Sequence, residues 1–267
     1  MLLAVDIGNT NTVFGLYQGK ELAHTFRVSS DRSRTEDEFS VLLRELLSMR
    51  GVQPSAINAS ILCSVVPPLT HVLTQAVRAA VAREPLIVGP GLKTGMPVLY
   101  ENPHEVGADR IVDAIAAYER LQSAAIVVDF GTATTFNCVS AKGEYLGGVI
   151  VPGVQVALEG LLSRAAKLKP IEINEPPRVL GRNTTHALQS GVVHGNAAMV
   201  DGMIERLEED LGFPCQVIAT GGLAALVAPH TKKVRQIDPN LTLDGLRIVH
   251  ERNASAGEGA KSRRSRA

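Results

Sequence analysis

The chain carries one short pattern twice, and this repeat constrains its fold more than any other feature. Residues 4–12 read AVDIGNTNT and residues 127–135 read VVDFGTATT. In both copies an apolar run leads into Asp, a bulky apolar residue, Gly, and a cluster of hydroxyl or amide side chains. An ungapped alignment matches Asp6 with Asp129, Gly8 with Gly131, and Thr12 with Thr135. The chain has 267 residues, and the repeat predicts that they form two domains of modest size rather than one large domain.

The residues around each copy predict the same order of elements. Three strand-like runs separated by turn residues occur at the N-terminus and again from about residue 125, which is typical of an antiparallel meander. Helical spacing follows the first meander, with Thr35 as the predicted N-cap. Further helices are predicted over 69–82, 109–121, 154–166 and 184–211. We therefore expect an α/β fold with one domain over residues 1–118 and a second over 119–253.

Composition and charge narrow the function classes. With 27 basic and 27 acidic residues the formal net charge is zero, so no chain-wide field favours nucleic acid or a membrane surface. No run reaches the roughly 18 apolar residues of a membrane span. Cys63, Cys138 and Cys215 lack a C-x-x-C partner and are predicted to be buried thiols. These features predict a cytoplasmic protein with a small neutral or anionic ligand.

The last residues differ from the rest of the chain. Residues 254–267 lack large apolar side chains and end in a basic cluster, which predicts a disordered tail. A contact with nucleic acid is the alternative for this cluster, although a solvated tail is the simpler interpretation.

The doubled motif has the chemistry of a phosphate-binding hairpin. Gly allows close approach of the backbone, and the hydroxyl, amide and N–H groups that follow can converge on phosphate oxygens. An Asp at a strand end can hold a metal ion directly or through water. One such loop alone is more typical of an ordinary hairpin, whereas two predict a polyphosphate held from both sides of a cleft. The pattern thus predicts that residues 6–13 wrap a triphosphate, with Asp6 oriented toward Mg²⁺.

Further motifs carry a family resemblance. In chain order they are DIGNTNT, GADR at 107–110, DFGTATTF at 129–136, GGVIVPG at 147–153 and ATGGLA at 219–224. Their order and spacing resemble the type III pantothenate kinases, within the superfamily of acetate and sugar kinases, Hsp70 and actin. The resemblance extends to about Glu251 and implies duplicated ribonuclease-H-like domains. It also implies ATP-dependent phosphorylation of pantothenate to 4'-phosphopantothenate, the first step of coenzyme A biosynthesis.

The resemblance assigns the ATP side of the reaction. The ATP-binding residues are expected to be Asp6, Ile7, Gly8, Asn9, Thr10, Asn11, Thr12, Val13 and Thr132. Asp129 is implied to hold a monovalent cation, K⁺ or NH₄⁺, and ATGGLA is implied to be the loop beside adenosine. An ordinary hairpin or strand-to-helix turn remains the alternative for each of these positions.

The resemblance also assigns the acceptor side. Asp109 is implied to be the base that accepts or orients the hydroxyl proton of pantothenate, and Arg110 can pair bidentately with the pantothenate carboxylate. Further substrate contacts are implied for Tyr100, Gly107, Ala108 and Thr184, with Thr184 contributed by the neighbouring subunit of a homodimer. Local sequence leaves alternatives open: an Asp109 N-cap beside a surface ion pair of Arg110, an N-cap role for Thr184, and a half-buried strand-end aromatic for Tyr100.

Other functions compete with this one. A nucleotide-binding accessory or regulatory protein of the same fold is the first alternative, favoured only by the basic tail. A kinase or phosphohydrolase of the superfamily that acts on another small molecule is the second. The segment GPGLKTG at 89–95 lacks the G-K-[ST] of a Walker P-loop, so a turn is the simpler interpretation.

Overall fold

The computed structural model describes the backbone of residues 1–264 and the side chains up to Ala254. The chain forms two compact units. The first comprises residues 1–96, 101–116 and 242–264, and the second comprises residues 97–100 and 117–241. Each unit contains one five-stranded mixed sheet.

The strands follow the order that the sequence predicts. The strands of the first sheet are β1 (Leu2–Ile7), β2 (Asn11–Gln18), β3 (Glu21–Ser29), β4 (Ala59–Ser64) and β5 (Leu86–Ile87). The strands of the second sheet are β6 (Ala125–Phe130), β7 (Ala133–Val139), β8 (Tyr145–Pro152), β9 (Gln216–Thr220) and β10 (Gln236–Ile237). Each sheet opens with an antiparallel meander, and its two later strands run parallel to the first. The predicted repeat of the meander is confirmed.

The helices also lie close to their predicted positions. They are α1 (Glu36–Ser48), α2 (Pro67–Val81), α3 (Ala108–Leu121), α4 (Val154–Arg164), α5 (Thr184–Ser190), α6 (Asn196–Leu211), α7 (Ala224–Val227) and α8 (Leu241–Arg264). Thr35 caps α1 as predicted, since its hydroxyl accepts from the Glu38 amide and the Glu38 carboxylate accepts from the Thr35 amide. The helix predicted over 184–211 contains a π-helical segment, Gly191–Gly195, between α5 and α6.

The core of each unit lies between its sheet and the helices that pack on it. In the first unit, apolar residues of β1 and β2 pack with the buried faces of α1 and α2, including Phe39, Leu43 and Leu73. In the second unit, β6 and β7 pack with α4, α6 and α7. Burial of these apolar faces is the main stabilising contribution in both units.

The position of α8 differs from the predicted domain boundaries of 1–118 and 119–253. Its first turns belong to the first unit, where Leu243 lies so close to Gly15 that a Cβ there would be 2.9 Å from Leu243 Cδ1. The Tyr17 hydroxyl also donates to Asp244 Oδ1 at 2.7 Å. These partners lie more than 220 residues apart in the chain, so no local pattern indicates their contact.

Three smaller expectations have separate outcomes. Cys63, Cys138 and Cys215 are thiols rather than disulfides; the first two are buried as predicted, whereas Cys215 is partly exposed. Helix α8 continues through the predicted tail to Arg264, while the side chains from residue 255 and all of 265–267 lie outside the described residues. Disorder of the tail therefore stays a prediction. Within the described residues, no helix combines the length and apolar character needed to cross a bilayer.

Candidate active site

The first hairpin loop connects β1 to β2 in the first unit. Ile7 pairs with Thr12, and the Gly8 amide donates to the Asn11 carbonyl at 3.1 Å. A Cβ on Gly8 would lie 3.0 Å from that same carbonyl oxygen, so the turn favours glycine. Asn9 and Thr10 at the tip are exposed, and the Arg32 guanidinium donates to Asn9 Oδ1 at 3.1 Å. The tip therefore presents exposed amide and hydroxyl side chains.

Not every residue predicted in this loop presents its side chain outward. Ile7 and Thr12 are fully buried. The Thr12 hydroxyl shares a 2.9 Å hydrogen bond with Ser30 Oγ, which ties β2 to the end of β3. The Thr12 hydroxyl therefore already has a partner within the protein. Asp6 and Val13 are half-buried.

The second hairpin loop, in the second unit, is one residue shorter. Phe130 pairs with Thr134, and the Gly131 amide donates to the Ala133 carbonyl at 3.1 Å. This bond corresponds to the one from the Gly8 amide to the Asn11 carbonyl in the first loop. The amide that follows the third strand donates to the loop in both units: Ser30 to the Thr10 carbonyl at 3.0 Å, and Gly153 to the Thr132 carbonyl at 3.2 Å.

These bonds correct the alignment of the repeat. Thr132 corresponds in position to Thr10, and Thr134 corresponds to Thr12. The ungapped match of Thr12 with Thr135 is wrong by one residue because the first loop contains an additional residue. Thr132 is exposed at the tip of the second loop, like Thr10 in the first.

Glycines surround the carboxylate of Asp129. A Cβ on Gly131 would lie 3.2 Å from Asp129 Oδ2, and a Cβ on Gly221 would collide with Oδ1. Gly221 also has φ +91°, a left-handed conformation that favours glycine. It opens the ATGGLA turn between β9 and α7. The two glycines therefore make room for the Asp129 carboxylate itself.

Three carboxylates of the first unit influence the pKa of one thiol. Cys63 on β4 pairs with Asp6 on β1. Burial raises the pKa of the Cys63 thiol well above its ordinary value, and the negative charges of Asp6, Asp109 and Asp113 raise it further. Asp6 and Asp109 are about a hundred residues apart in the sequence, yet both lie near enough to Cys63 for their charges to affect its pKa. Asp113 is a member of this cluster that the sequence motifs did not indicate.

The GADR motif leads into α3, with Gly107 just before the helix and Ala108 as its first residue. Asp109 Oδ1 accepts a 2.7 Å hydrogen bond from the Arg110 amide. A Cβ on Gly107 would lie only 2.5 Å from the same oxygen, so Gly107 makes room for the Asp109 carboxylate itself. Arg110 is only 8% exposed, so its alternative as a surface ion pair is wrong. Ala108 is half-buried beside them.

The environment of Asp109 sets its proton affinity. Burial raises the pKa of the Asp109 carboxyl above its ordinary value, while the hydrogen bond from the Arg110 amide and the Arg110 charge lower it. Burial is the larger effect. A carboxylate with a raised pKa is a stronger base than an exposed aspartate, which suits proton abstraction from a hydroxyl.

Tyr100 and Thr184 belong to the second unit. The Tyr100 ring is half-buried, 6.5 Å from the ring centroid of Tyr145, and lies over Gly147. The Leu99 amide donates to the Tyr145 carbonyl at 2.8 Å, which fixes the backbone before Tyr100. Thr184 is exposed at the first position of α5, and the cap is Asn183, whose side chain accepts from the His186 amide. The N-cap alternative for Thr184 is therefore wrong.

Fold and loops together define a class of proteins. Two five-stranded sheets, each opened by a meander with a glycine hairpin, are characteristic of the duplicated ribonuclease-H-like fold of actin and the sugar kinases. A Baf-family transcriptional activator candidate from Campylobacter jejuni matches 95% of this chain and 99% of its own, with a TM-score of 0.58 and 19% identity. A protein from Sinorhizobium meliloti, assigned as a 2-dehydro-3-deoxygalactonokinase, matches 94% of this chain and 96% of its own, with a TM-score of 0.56 and 13% identity. Both show the fold alone.

Sequence comparison gives the family. The type III pantothenate kinase family model matches residues 2–206. A type III pantothenate kinase from Myxococcus xanthus is 52% identical over 253 residues, which cover 95% of this chain and 99% of the relative. One from Moorella thermoacetica is 51% identical with 95% and 100% coverage. The chain belongs to the type III pantothenate kinase family.

Proposed function

We propose that this protein transfers the γ-phosphoryl group of ATP to the hydroxyl of pantothenate, forming 4'-phosphopantothenate in the first step of coenzyme A biosynthesis. Family membership over nearly the whole chain supports the substrate pair. The observation that carries the chemistry is Asp109, a shielded carboxylate with a raised pKa at the start of α3. Phosphoryl transfer needs such a group near the attacking hydroxyl, together with donors and cations at the phosphates.

The first loop is proposed to hold the phosphates of ATP. Its exposed tip, Asn9 and Thr10, offers the hydroxyl, amide and N–H donors, and Thr132 offers the corresponding hydroxyl of the second loop. Asp6 suits Mg²⁺, which typically takes one or two carboxylates and completes its ligands with phosphate oxygens and water. Among the described residues, no group of three or more His, Cys, Asp or Glu side chains is placed to hold a metal ion. When bound, Mg²⁺ neutralises charge on the phosphates.

Asp109 is proposed to act as the base for the acceptor hydroxyl. Its ionised carboxylate would accept or orient the hydroxyl proton during attack on the phosphorus atom. The Arg110 guanidinium would pair with the carboxylate of pantothenate, and the aromatic face of Tyr100 would contact the substrate chain. Gly107 and Ala108 would contribute their backbone beside the same substrate.

Asp129 is proposed to hold the monovalent cation, K⁺ or NH₄⁺. Its carboxylate offers the oxygen ligands that such a cation takes, and Gly131 and Gly221 place no side chain against those oxygens. Such a cation supplies positive charge near the second loop, whose Thr132 is exposed at its tip. Asp129 is therefore expected to set the dependence of the reaction on K⁺.

We also propose a homodimer in which Thr184 contacts the substrate of the neighbouring subunit. The second unit exposes several large apolar side chains, including Ile150, Val156, Leu161, Val179 and Leu180. Where exposed apolar side chains form a contiguous patch, they mark an association surface, so these residues are the proposed part of the dimer interface. Thr184 follows Val179 and Leu180 closely in the chain and is itself exposed. The proposed location is the cytoplasm, since a reducing compartment preserves thiols such as those of this chain.

The deciding experiment measures ADP release by the purified protein given ATP and Mg²⁺, with and without pantothenate, in K⁺ or Na⁺ buffer. We expect turnover that requires pantothenate and is faster in K⁺. Asp129→Asn should abolish the advantage of K⁺ over Na⁺, whereas Asp37→Asn, an exposed acid of α1, should retain it. Folded protein that binds ATP but leaves pantothenate unphosphorylated would refute the proposal and favour a different acceptor or an accessory role.

A further inference from the structure

A buried hydrogen bond links α8 to α3 one turn beyond the proposed base. The Thr242 hydroxyl donates to Asp113 Oδ1 at 2.7 Å. Asp113 is only 2% exposed, and it follows Asp109 by four residues, so both side chains lie on one face of α3. Their shared effect on the Cys63 thiol is consistent with this placement. The bond therefore holds the same face of α3 that carries Asp109.

The backbones of α8 and α3 are also in close contact here. A Cβ on Gly245 would collide with the carbonyl oxygen of Val112, so only glycine allows this approach. Leu243 and Leu246 are buried on either side of Gly245. Close packing of two helices resists rotation of either helix about its axis. Because a hydrogen bond is directional, the bond from Thr242 also fixes the angle at which α3 faces α8.

We propose that Thr242 and Asp113 form a positioning pair that fixes the first turn of α3 and thereby the Asp109 carboxylate. The inference rests on the proposed role of Asp109 as base. Thr242 and Asp113 are proposed to act through the position of Asp109 and not by touching a substrate. A general base works only within hydrogen-bond reach of its proton, and a displacement of about 1 Å can cost about 100-fold in rate. The pair thus affects turnover rather than the binding of ATP.

The test compares Thr242→Val with Thr242→Ser, which keeps the hydroxyl. Tyr17→Phe is the matched control, because it removes another 2.7 Å hydrogen bond to the first turns of α8, but one that comes from β2 rather than from α3. We expect Thr242→Val to lower kcat by about tenfold or more with little change in the KM for ATP. Thr242→Ser and Tyr17→Phe should retain kcat close to that of the unmodified protein.

Amide hydrogen exchange supplies a readout that does not depend on activity. Thr242→Val should increase exchange in residues 109–113, whereas Thr242→Ser and Tyr17→Phe should not. If the unmodified protein lacks pantothenate-dependent turnover, the proposed function fails while the exchange comparison still tests the bond. Equal loss of kcat in Thr242→Val and Tyr17→Phe, unchanged kcat in Thr242→Val, or unchanged exchange would overturn the positioning role. If Thr242→Val does not fold, Thr242→Ala replaces it.

Discussion

The carboxylate of Asp109 folds back onto the first turn of its own helix, where Oδ1 accepts the Arg110 amide at 2.7 Å. This bond and the Arg110 charge favour the ionised form, yet burial is the larger effect, and the pKa is raised. The Asp109 carboxylate is thus held in an environment that opposes its negative charge. Its ionisation therefore lowers the stability of the folded protein.

The first prediction concerns Asp109→Asn. A raised carboxyl pKa means that the folded state binds more protons than the unfolded chain between the ordinary pKa and the raised pKa, so stability falls as pH rises through that window. Because Asn carries no charge, the variant should melt at least as high as the unmodified protein at neutral pH. Its turnover should fall by about 10²–10⁴-fold, the usual contribution of a general base.

Two measurements check this prediction. Thermal melts across pH should show that the melting temperatures of the two proteins become equal below the ordinary carboxyl pKa, where neither protein carries a charge at residue 109. In the unmodified protein, kcat/KM should decline with acidification at a higher pH than an ordinary aspartate would give. A folded Asn variant with normal turnover, or one that melts far lower at neutral pH, would contradict the assignment.

The second prediction concerns Gly107→Ala. The added Cβ would meet Asp109 Oδ1 at 2.5 Å, so the carboxylate must move away from its hydrogen bond with the Arg110 amide. We expect a large loss of kcat, about tenfold or more, from this displacement alone. Gly202→Ala in α6 is the matched control, since its Cβ meets no atom within 4 Å. The control should gain up to about 1 kcal/mol of stability and keep its activity.

Steady-state kinetics and thermal melts distinguish the outcomes. If Gly107→Ala retains kcat, the Asp109 carboxylate tolerates displacement and its position is not critical. If both variants lose activity to the same extent, the loss reflects insertion of a methyl group rather than its place beside Asp109.

Local patterns predicted the repeated meander, the Thr35 cap of α1 and the order of the strands, because each depends on residues close in the chain. The hairpin correspondence of Thr10 with Thr132 was not predictable, since an ungapped alignment cannot register that one loop is a residue shorter. The contact of Thr242 with Asp113 escaped prediction for another reason. It joins residues 129 positions apart, and no periodicity in the sequence records which helices meet.

The third prediction concerns the proposed dimer. Leu180 is 71% exposed in the second unit, and an aspartate there would place a charge in any apolar interface that covers it. Leu180→Asp should shift sedimentation from dimer to monomer and reduce activity if Thr184 acts in the neighbouring site. Met49→Asp, at a residue 77% exposed in the first unit, is the matched control and should stay dimeric. A monomeric unmodified protein with full activity would contradict the proposed dimer.

The last prediction uses the repeat as its own control. Thr12 and Thr134 occupy corresponding positions and are both fully buried. Thr12 bonds to Ser30, whereas Gly153 takes the place of Ser30 in the second unit, and the Thr134 hydroxyl has no hydrogen-bond partner among the described residues.

A buried polar group without a partner costs about 1–3 kcal/mol, so Thr134→Val should stabilise the protein by about 1 kcal/mol. Thr12→Val breaks a bond and leaves Ser30 without this partner, so it should destabilise by a similar amount. Chemical denaturation of both variants measures the opposite signs directly. Equal destabilisation by both would mean that water satisfies the Thr134 hydroxyl, because only a hydrogen-bonded hydroxyl is costly to remove.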